Sequence, residues 1–319
     1  MHLNFEKWHG CQNDFLVFWV LEQDQIFSDG MQRITPRLCS RKGDGIGADG
    51  VIVAYLRNDR ELTPSRVEIF NSDGSKAETC GNGLRCLAQS ALKRARERQM
   101  LDLLGDGLVA PLQNHKALCR YLADPARLSA QEWPLIAVDM GPERFRSLNK
   151  DEQLSLETIS GVNATAPLKP WVIDEAAFVD FANPHLCIYS EGFDARDIYR
   201  VGSALQKWEF CPGGINVHVG FQLEASNDVK SRFKRSVGAN LEGFFEVFVW
   251  ERGAGPTAAC GSGACAFIAA AIEWGYCTSD KWHAVKMPGG FLFVRKDTAT
   301  GSLLLAGPAE FVFQGTVEV

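Results

Sequence analysis

The chain has 319 residues, of which 46% are hydrophobic, and a formal net charge of −6. This length and composition predict a globular protein of about two domains. The negative charge argues against a nucleic-acid partner, because such proteins carry a broad positive surface. No segment approaches the roughly 18 consecutive apolar residues of a membrane span, so we expect a cytoplasmic protein with no membrane partner.

The ten cysteines are too dispersed for a disulfide framework in a chain of this length. A reducing compartment keeps them as thiols. Most are therefore expected to be small buried residues, and only a special environment makes one of them reactive.

In chain order, the first clear unit begins with a strand at residues 66–70, "RVEIF". A glycine-rich loop follows, "NSDGSKAETCGNGLRC" at residues 71–86, and then a helix whose apolar residues favour one face, from Leu84 to Glu97. The unit is thus a strand, a loop, the motif Cys-Gly-x-Gly and a helix.

Beyond this helix the pattern weakens and charged residues become more frequent. We predict that part of residues 97–135 is an irregular insertion and that residues 146–168 are a linker or surface excursion.

The same unit recurs near the C-terminus. Cys260 follows Cys80 by 180 positions, and this offset also pairs Gly81 with Gly261. The segment "ACAFIAAAIEW" at 264–274 is apolar nearly all round, which is typical of a helix enclosed on every side. The chain is therefore predicted to consist of two similar halves.

These elements predict an α+β fold of two pseudo-symmetric domains, each a β-sheet wrapped like a barrel around a central helix. The first domain is expected to hold residues 1–141 with a C-terminal strand at 309–319, and the second residues 142–308.

Cys80 and Cys260 lie where the two helices are expected to start. Unpaired backbone N–H groups and the positive end of the helix dipole favour a thiolate there. Cys86 and Cys265 lie further into the helices and are expected to be packing residues.

The first N–H groups of the two helices also form natural carboxylate sites; they belong to Gly81, Asn82, Gly261 and Ser262. If the halves face each other, one carboxylate is held with a thiol on either side. A proton removed from one face of a carbon and returned to the other inverts a stereocentre.

Three alternatives remain open at this point. Four cysteines bind zinc in some proteins, although the spacings Cys-x5-Cys and Cys-x4-Cys are looser than usual zinc knuckles. The second alternative is that Cys80 and Cys260 form a redox pair. The third alternative is that the glycine-rich loops bind phosphate, although neither loop ends in the Lys-Ser/Thr pair of a P-loop.

The sequence resembles the diaminopimelate epimerase family. The resemblance rests on seven ordered blocks: "HGCQNDF", "GIGADG", "NSDGSKAETCGNG", "ANPH", "INV", "ERGAGPTAACGSGAC" and "MPGG".

This resemblance implies an enzyme that interconverts LL- and meso-diaminopimelate without a cofactor or metal, in the pathway to lysine and peptidoglycan precursors. It implies an active site in the cleft between the domains, where Cys80 and Cys260 exchange the roles of base and acid. His185 and Glu251 would assist proton movement. The side chains that would hold the substrate are Asn13, Asn71, Asn183, Asn216, Glu251 and Arg252.

Three features depart from the family pattern. Gln12 stands where glycine is usual and is expected to shift the loop that carries Asn13. The segment "CSRKGDGIGADG" is one residue longer before Gly45, and "FCPGGINVHVG" is unusual around Asn216, with His218 close behind.

Because of these departures, a cofactor-independent racemase of another amino acid stays open as an alternative to the epimerase. An alternative of a different class is a non-catalytic thiol or metal-binding module. The sequence also leaves the oligomeric state open, a homodimer being one alternative.

Overall fold

The computed structural model describes residues 2–23, 26–125, 134–161, 172–181, 183–206, 208–237 and 240–318. Contacts divide the chain into two units, one with Met1–Asp139 and Ala306–Val319 and the other with Met140–Leu305. Both units combine strands with helices, which confirms the predicted α+β class. Among the residues described, every helix is too short or too polar to cross a membrane.

The first unit contains a six-stranded sheet with the strand order β18-β1-β2-β3-β4-β5. A short 3-10 helix at Leu101–Leu103 follows its second α-helix. In chain order its elements are β1 (His2–Gly10), β2 (Asn13–Leu21), α1 (Ile26–Cys39), β3 (Gly50–Leu56), β4 (Arg66–Asn71), β5 (Lys76–Ala77), α2 (Gly81–Glu97), β6 (Gly107–Pro111), β7 (Lys116–Tyr121), β8 (Ile136–Asp139) and β18 (Glu310–Glu318).

The second unit has the strand order β9-β10-β11-β12-β13-β15-β16-β17, and β14 pairs with β13. In chain order its elements are β9 (Arg144–Ser147), α3 (Lys150–Gly161), β10 (Glu175–Asp180), β11 (Pro184–Tyr189), α4 (Asp197–Leu205), β12 (Asn216–Gln222), α5 (Asn227–Val237), β13 (Leu241–Glu251), β14 (Gly255–Pro256), α6 (Gly261–Glu273), β15 (Trp282–Met287), β16 (Gly290–Lys296) and β17 (Leu303–Gly307).

The two units repeat one pattern of strand pairing. In the first, β18–β1 and β1–β2 are antiparallel, β2–β3 is parallel, and β3–β4 and β4–β5 are antiparallel. In the second, β9–β10, β10–β11, β11–β12, β12–β13 and β13–β14 follow the same order of directions. Helices α2 and α6 then begin at Gly81 and Gly261. The predicted pseudo-symmetry is therefore confirmed.

Each unit encloses its central helix. Helix α2 packs against strands of its own unit that include β1, β2, β7 and β8, and α6 packs against β10, β11, β12 and β16. Every residue from Gly263 to Ala271 is buried. A helix that buries all its faces needs apolar side chains all round, which is the pattern of the α6 sequence.

Two regions are more regular than the sequence analysis expects. Strands β6 and β7 form an antiparallel hairpin within residues 97–135, with Leu108 and Cys119 fully buried. Helix α3 occupies part of residues 146–168 and buries Leu156. The hairpin is compatible with a partly irregular insertion, whereas the helix shows that residues 146–168 are not simply a linker. Short strands and a helix with one buried leucine carry weak hydrophobic periodicity, so the sequence does not reveal them. Residues 126–133 and 162–171 lie outside the described residues.

Candidate active site

Cys80 and Cys260 cap the N-termini of α2 and α6 in the same way. Cys80 has φ −150° and ψ 106°, and its Sγ accepts a hydrogen bond from Gly83 N at 3.4 Å. Cys260 has φ −125° and ψ 111°, and its Sγ accepts from Gly263 N, also at 3.4 Å. Each sulfur thus satisfies one of the N–H groups that a helix leaves unpaired at its start.

The two caps differ in exposure. Cys80 is half-buried, whereas Cys260 is buried, with a relative exposure of 6%. The inner cysteines, Cys86 and Cys265, are fully buried, and burial raises the pKa of Cys86. Their position agrees with the packing role predicted for them.

In the first unit, a chain of amide hydrogen bonds starts beside Cys80. Asn82 Nδ2 donates to Asn13 Oδ1 at 3.1 Å, and Asn13 Nδ2 donates to Asp49 Oδ2 at 3.0 Å. At the other end, Arg85 Nη2 donates to Asn82 Oδ1 at 2.8 Å. Asn13 and Asn82, both predicted site residues, are therefore in direct contact.

Asp49 is held by a charged network that the sequence analysis does not predict. Arg41 lies 2.6 Å from Asp14 and 2.9 Å from Asp49, and Lys7 lies 2.9 Å from Asp14. Burial opposes ionisation of Asp14, but the hydrogen bonds from Arg41 and Lys7 outweigh it and lower the pKa of the carboxyl group. The long segment before Gly45 supplies Arg41, so this departure from the family pattern takes part in the network.

The loop that carries Asn13 is a two-residue hairpin turn. Cys11 and Gln12 have φ of 54° and 67°, and Gly10 pairs with Asn13 across the turn. Positive φ at both turn residues is the geometry of a type I′ hairpin, which favours glycine. Gln12 adopts this backbone conformation without being glycine, and Asn13 starts β2 directly after it.

Asn71 stands apart from the amide chain. Its Nδ2 donates to Ser75 Oγ at 2.9 Å, within the turn that follows β4. Asp73 accepts from the backbone of Ser75 at 2.8 Å and shapes the same turn. The structure thus gives Asn71 a hydrogen bond in the turn and none that links it to Asn13 or Asn82 among the contacts of the described residues.

In the second unit, the environment of Cys260 favours the neutral thiol. Burial raises the pKa of Cys260 well above its ordinary value, and the negative charge of Glu251 raises it further. Donors from Ser262 and Gly263 oppose this shift but do not outweigh it. The expectation of a thiolate at this helix start is therefore wrong for Cys260, because desolvation of the anion exceeds the benefit of the helix terminus.

Further contacts fix the surroundings of this thiol. Ser262 Oγ lies 3.5 Å from Cys260 Sγ, and the Cys260 backbone N–H donates to Met287 Sδ at 3.5 Å. Thr257 Oγ1 donates to Glu251 Oε1 at 2.5 Å. One carboxylate oxygen of Glu251 is thereby oriented by a neighbouring hydroxyl group.

Three predicted substrate-binding residues of the second unit form one cluster. Arg252 N donates to Asn216 Oδ1 at 2.8 Å, and Arg252 Nη2 donates to Asn183 Oδ1 at 3.4 Å. The Arg252 side chain is exposed, and its second terminal nitrogen, Nη1, reaches Gly213 O at 3.3 Å. The hydrogen bonds from the guanidinium to Gly213 O and Asn183 Oδ1 are long and therefore weak. A carboxylate, which is charged, would be a stronger acceptor for the same donors.

His185 forms a buried pair with His218. His185 Nδ1 lies 2.8 Å from His218 Nε2, and both side chains are fully buried on the adjacent strands β11 and β12. Burial, with the nearby charge of Arg252, lowers the pKa of His185 to about 3. Burial and His185 likewise lower the pKa of His218, so both rings are neutral. The sequence analysis notes His218 only as an unusual residue. The signal that could have identified it is an imidazole among the apolar residues of a strand.

A family model described as diaminopimelate epimerase matches residues 5–128 and 177–312 of this chain. The chain belongs to the diaminopimelate epimerase family. The matched ranges include both capping cysteines, the Asn13–Asn82 contact and the Arg252 cluster.

Relatives across this family cover nearly the whole chain. A diaminopimelate epimerase of Synechococcus elongatus is 32% identical over 330 residues, covering 100% of this chain and 99% of the relative. One from Prochlorococcus marinus strain MIT 9313 is 33% identical over 322 residues, covering 99% of this chain and 92% of the relative. The resemblance stated from the sequence motifs is confirmed, and so is the isomerase class.

Solved structures agree with the fold. A phenazine biosynthesis protein of the PhzF family from Bacillus anthracis has a TM-score of 0.67 at 13% identity, covering 100% of both chains. A hydroxyproline epimerase from Agrobacterium vitis has a TM-score of 0.58 at 12% identity, covering 99% of this chain and 92% of that chain. At such low identity these similarities concern the fold alone.

Membership of the diaminopimelate epimerase family bears on the alternatives left open by the sequence. The alternative of a non-catalytic thiol module does not agree with membership of a family of isomerases. Within the ranges that the structure describes, no group of three or more His, Cys, Asp or Glu side chains is arranged to hold a metal ion. The zinc-binding alternative therefore lacks a set of ligands in that part of the chain.

Proposed function

We propose that this protein epimerises diaminopimelate between its LL and meso forms, with Cys80 and Cys260 as the two proton-transferring groups and without a cofactor. The observation that carries the proposal is the matched pair of cysteine caps in a chain of the diaminopimelate epimerase family. The two caps share one hydrogen-bond geometry, as two groups with exchangeable roles require.

The proposed reaction has two proton transfers. A thiolate takes the α-proton, and the bonding electron pair stays on the substrate, delocalised into its carboxylate. The second thiol then gives its proton to the opposite face of the same carbon and becomes a thiolate. The stereocentre is inverted, and the thiols have exchanged protonation states. Chemistry of this kind requires both sulfurs to reach one carbon.

Stabilisation of the developing charge is assigned to the helix starts. Backbone N–H groups of Gly81, Asn82, Gly261 and Ser262 precede the first intrahelical hydrogen bonds, and fixed donors of this kind stabilise negative charge without reorganisation. No electron sink other than the substrate carboxylate enters the proposal.

The protonation states support a division of roles in the resting enzyme. Burial and Glu251 raise the pKa of Cys260, so Cys260 carries a proton before turnover. The base of the first half-reaction is then Cys80. Glu251 holds the Cys260 thiol as a proton donor, and neutral His185 is available for hydrogen bonding to the reacting groups.

Recognition of the distal end of the substrate is assigned to the second-unit cluster. Arg252 offers a planar set of donors to the distal carboxylate, and Asn183 and Asn216 hold the side chain and backbone of Arg252. We assign further amide contacts with the substrate to Asn13 and Asn82. Asn71 is also proposed as a substrate contact, because the family resemblance implies it.

A second candidate function keeps the chemistry but changes the amino acid. It is favoured by the sequence around Asn216, where His218 and the segment before the strand depart from the family pattern. A panel of amino acids separates the two, because Arg252 predicts a preference for a substrate with a distal carboxylate.

The direct test is conversion of LL-diaminopimelate to the meso form by the purified protein. We expect turnover by the natural chain and its loss in Cys80→Ala and Cys260→Ala. Cys211→Ala is a matched control, because Cys211 is a half-buried cysteine that caps neither helix. Absence of conversion by the natural chain rejects the proposal, and full activity of either active-site variant rejects the two-thiol mechanism.

We also place this reaction in the synthesis of lysine and peptidoglycan precursors in the cytoplasm, where thiols remain reduced. In agreement, all ten cysteines lie among the described residues and none is in a disulfide.

A further inference from the structure

His185 and His218 share one hydrogen bond between ring nitrogens. The distance from His185 Nδ1 to His218 Nε2 is 2.8 Å, and the ring planes are tilted by 37°. A metal ion between two imidazoles holds their nitrogens about 3.3 Å apart at tetrahedral geometry with metal–nitrogen bonds of about 2.0 Å. The shorter distance therefore indicates a direct hydrogen bond.

The outer nitrogens of the pair, His185 Nε2 and His218 Nδ1, are buried and have no hydrogen-bond partner among the described residues. The shared hydrogen bond is thus the one polar contact that the described structure gives each ring. A neutral imidazole carries one proton on one of its two nitrogens. The proton in the shared bond consequently fixes which nitrogen of the other ring is protonated.

The position of the His218 ring is itself fixed by packing. A Cβ atom built on Gly263 would lie 2.1 Å from His218 Cε1, so the ring occupies the space next to the bare glycine. Gly263 is also the residue whose N–H group donates to the capping sulfur of Cys260. The ring therefore rests on the backbone of the helix start and has little room to turn.

We propose that His218 is a positioning residue that sets the tautomer of His185 and so decides whether His185 Nε2 accepts or donates a hydrogen bond. This inference rests on the proposed function, in which His185 assists proton movement. His218 is not among the residues that the family resemblance assigns to the active site, so it is an additional residue for that function.

The two arrangements of the pair are related by simple proton accounting. If His185 carries its proton on Nδ1 and donates to His218 Nε2, His218 is protonated on Nδ1, and His185 Nε2 is an acceptor. If His218 donates from Nε2, His185 Nδ1 accepts, and His185 carries its proton on Nε2 as a donor. Each arrangement holds two protons on four nitrogens, and in each the state of His185 Nε2 follows from His218.

The test combines four variants with a spectroscopic measurement. His218→Leu removes the hydrogen bond with similar side-chain volume, and His218→Gln restores a polar atom near the position of Nε2. Nitrogen-15 NMR of histidine-labelled protein reports the tautomer of His185 independently of activity. His185→Ala, alone and combined with His218→Leu, reports whether His218 acts through His185.

We expect one fixed tautomer of His185 in the natural chain and a mixture of tautomers in His218→Leu. We also expect kcat to fall in this variant by about 10- to 100-fold, within the contribution of one acid–base group, with KM nearly unchanged. His218→Gln should recover most of kcat, and His218→Leu should cost nothing further in the His185→Ala background.

The inference is overturned if the His185 tautomer is the same in the natural chain and in His218→Leu, or if the two substitutions act additively. If His218→Leu does not fold, His218→Met takes its place, and the same mixture of tautomers and the same fall in kcat are expected. If the natural chain has no epimerase activity, the proposed function fails, whereas the NMR result still decides whether His218 sets the tautomer.

Discussion

The side-chain amide of Asn13 donates a hydrogen bond to the carboxylate of Asp49 at 3.0 Å. A carboxylate only accepts, so Asn13 must present Nδ2 to Asp49 and its oxygen to Asn82. At the far end Arg85 only donates, which fixes the oxygen of Asn82 toward Arg85. The polarity of the whole chain of amides next to Cys80 is therefore set by one anion and one cation.

We predict that Asp49→Asn lowers kcat/KM about 10-fold, because the charged acceptor that holds Asn13 is replaced by a neutral amide, which forms a weaker hydrogen bond. Steady-state kinetics with LL-diaminopimelate measure this. Asp73→Asn is the control, since Asp73 serves the turn at Ser75 outside the amide chain. Equal kinetics for Asp49→Asn and the natural chain would show that the charged hydrogen bond from Asn13 to Asp49 has no effect on substrate recognition.

The Cys260 thiol should respond to the charge of Glu251. The folded protein raises the pKa of Cys260 above the ordinary value, so its reaction with iodoacetamide should be slow at neutral pH and increase as the pH rises through the raised pKa. In Glu251→Gln the midpoint should move to lower pH, because a negative neighbour has been removed.

Alkylation followed by mass spectrometry of the peptide that contains Cys260 gives this profile. Glu246→Gln is the matched control, because Glu246 lies on the same strand but pairs with Lys286 at 2.8 Å. An unchanged or higher midpoint in Glu251→Gln contradicts the assigned environment of the thiol.

Gly83 and Gly263, which donate to the two capping sulfurs, should tolerate alanine differently. At Gly263 a Cβ atom would meet the His218 ring at 2.1 Å, whereas at Gly83 it would meet the terminal methyl group of Ile52 at 3.1 Å. We expect Gly263→Ala to lower the free energy of unfolding by about 2–3 kcal/mol, as overpacking does, and Gly83→Ala to cost about 1 kcal/mol or less. Urea denaturation of both variants measures this, and equal losses would argue against the tight contact of His218 with α6.

Gln12 offers a stabilising substitution. Its φ of 67° places a side chain in the left-handed region, which costs roughly 1 kcal/mol relative to glycine. Gln12→Gly should therefore raise the free energy of unfolding by about 1 kcal/mol in thermal or urea denaturation. Cys11 has a φ of 54° in the same turn, and Cys11→Gly is a poor comparison because Cys11 is buried. A loss of stability in Gln12→Gly would contradict the hairpin geometry.

The sequence predicts those features that depend on local pattern. The 180-residue offset between Cys80 and Cys260 locates both helix starts, and the apolar run after Cys260 predicts the enclosed helix. The structure confirms both. Strands β6 and β7 are too short, and contain too many charged residues such as Lys116 and Arg120, for their hydrophobic alternation to be recognised.

The sequence does not predict what depends on contacts between distant segments. Asp49 reaches Asn13 from 36 positions away, and His218 reaches His185 from 33 positions away. The protonation of Cys260 depends on how deeply the folded chain buries the sulfur, which the position at a helix start does not reveal. Local rules therefore locate the thiols, and tertiary packing determines their chemistry.

The central claim is that two thiols act on opposite faces of one carbon, and deuterium incorporation during the first turnovers in deuterated water tests it most directly. With two thiols on opposite faces, newly formed meso-diaminopimelate should carry one solvent deuterium at the inverted carbon, while the recovered LL substrate carries none. Product that retains the original α-hydrogen, or recovered substrate that gains deuterium as fast as product forms, would show that a single base removes and returns the proton.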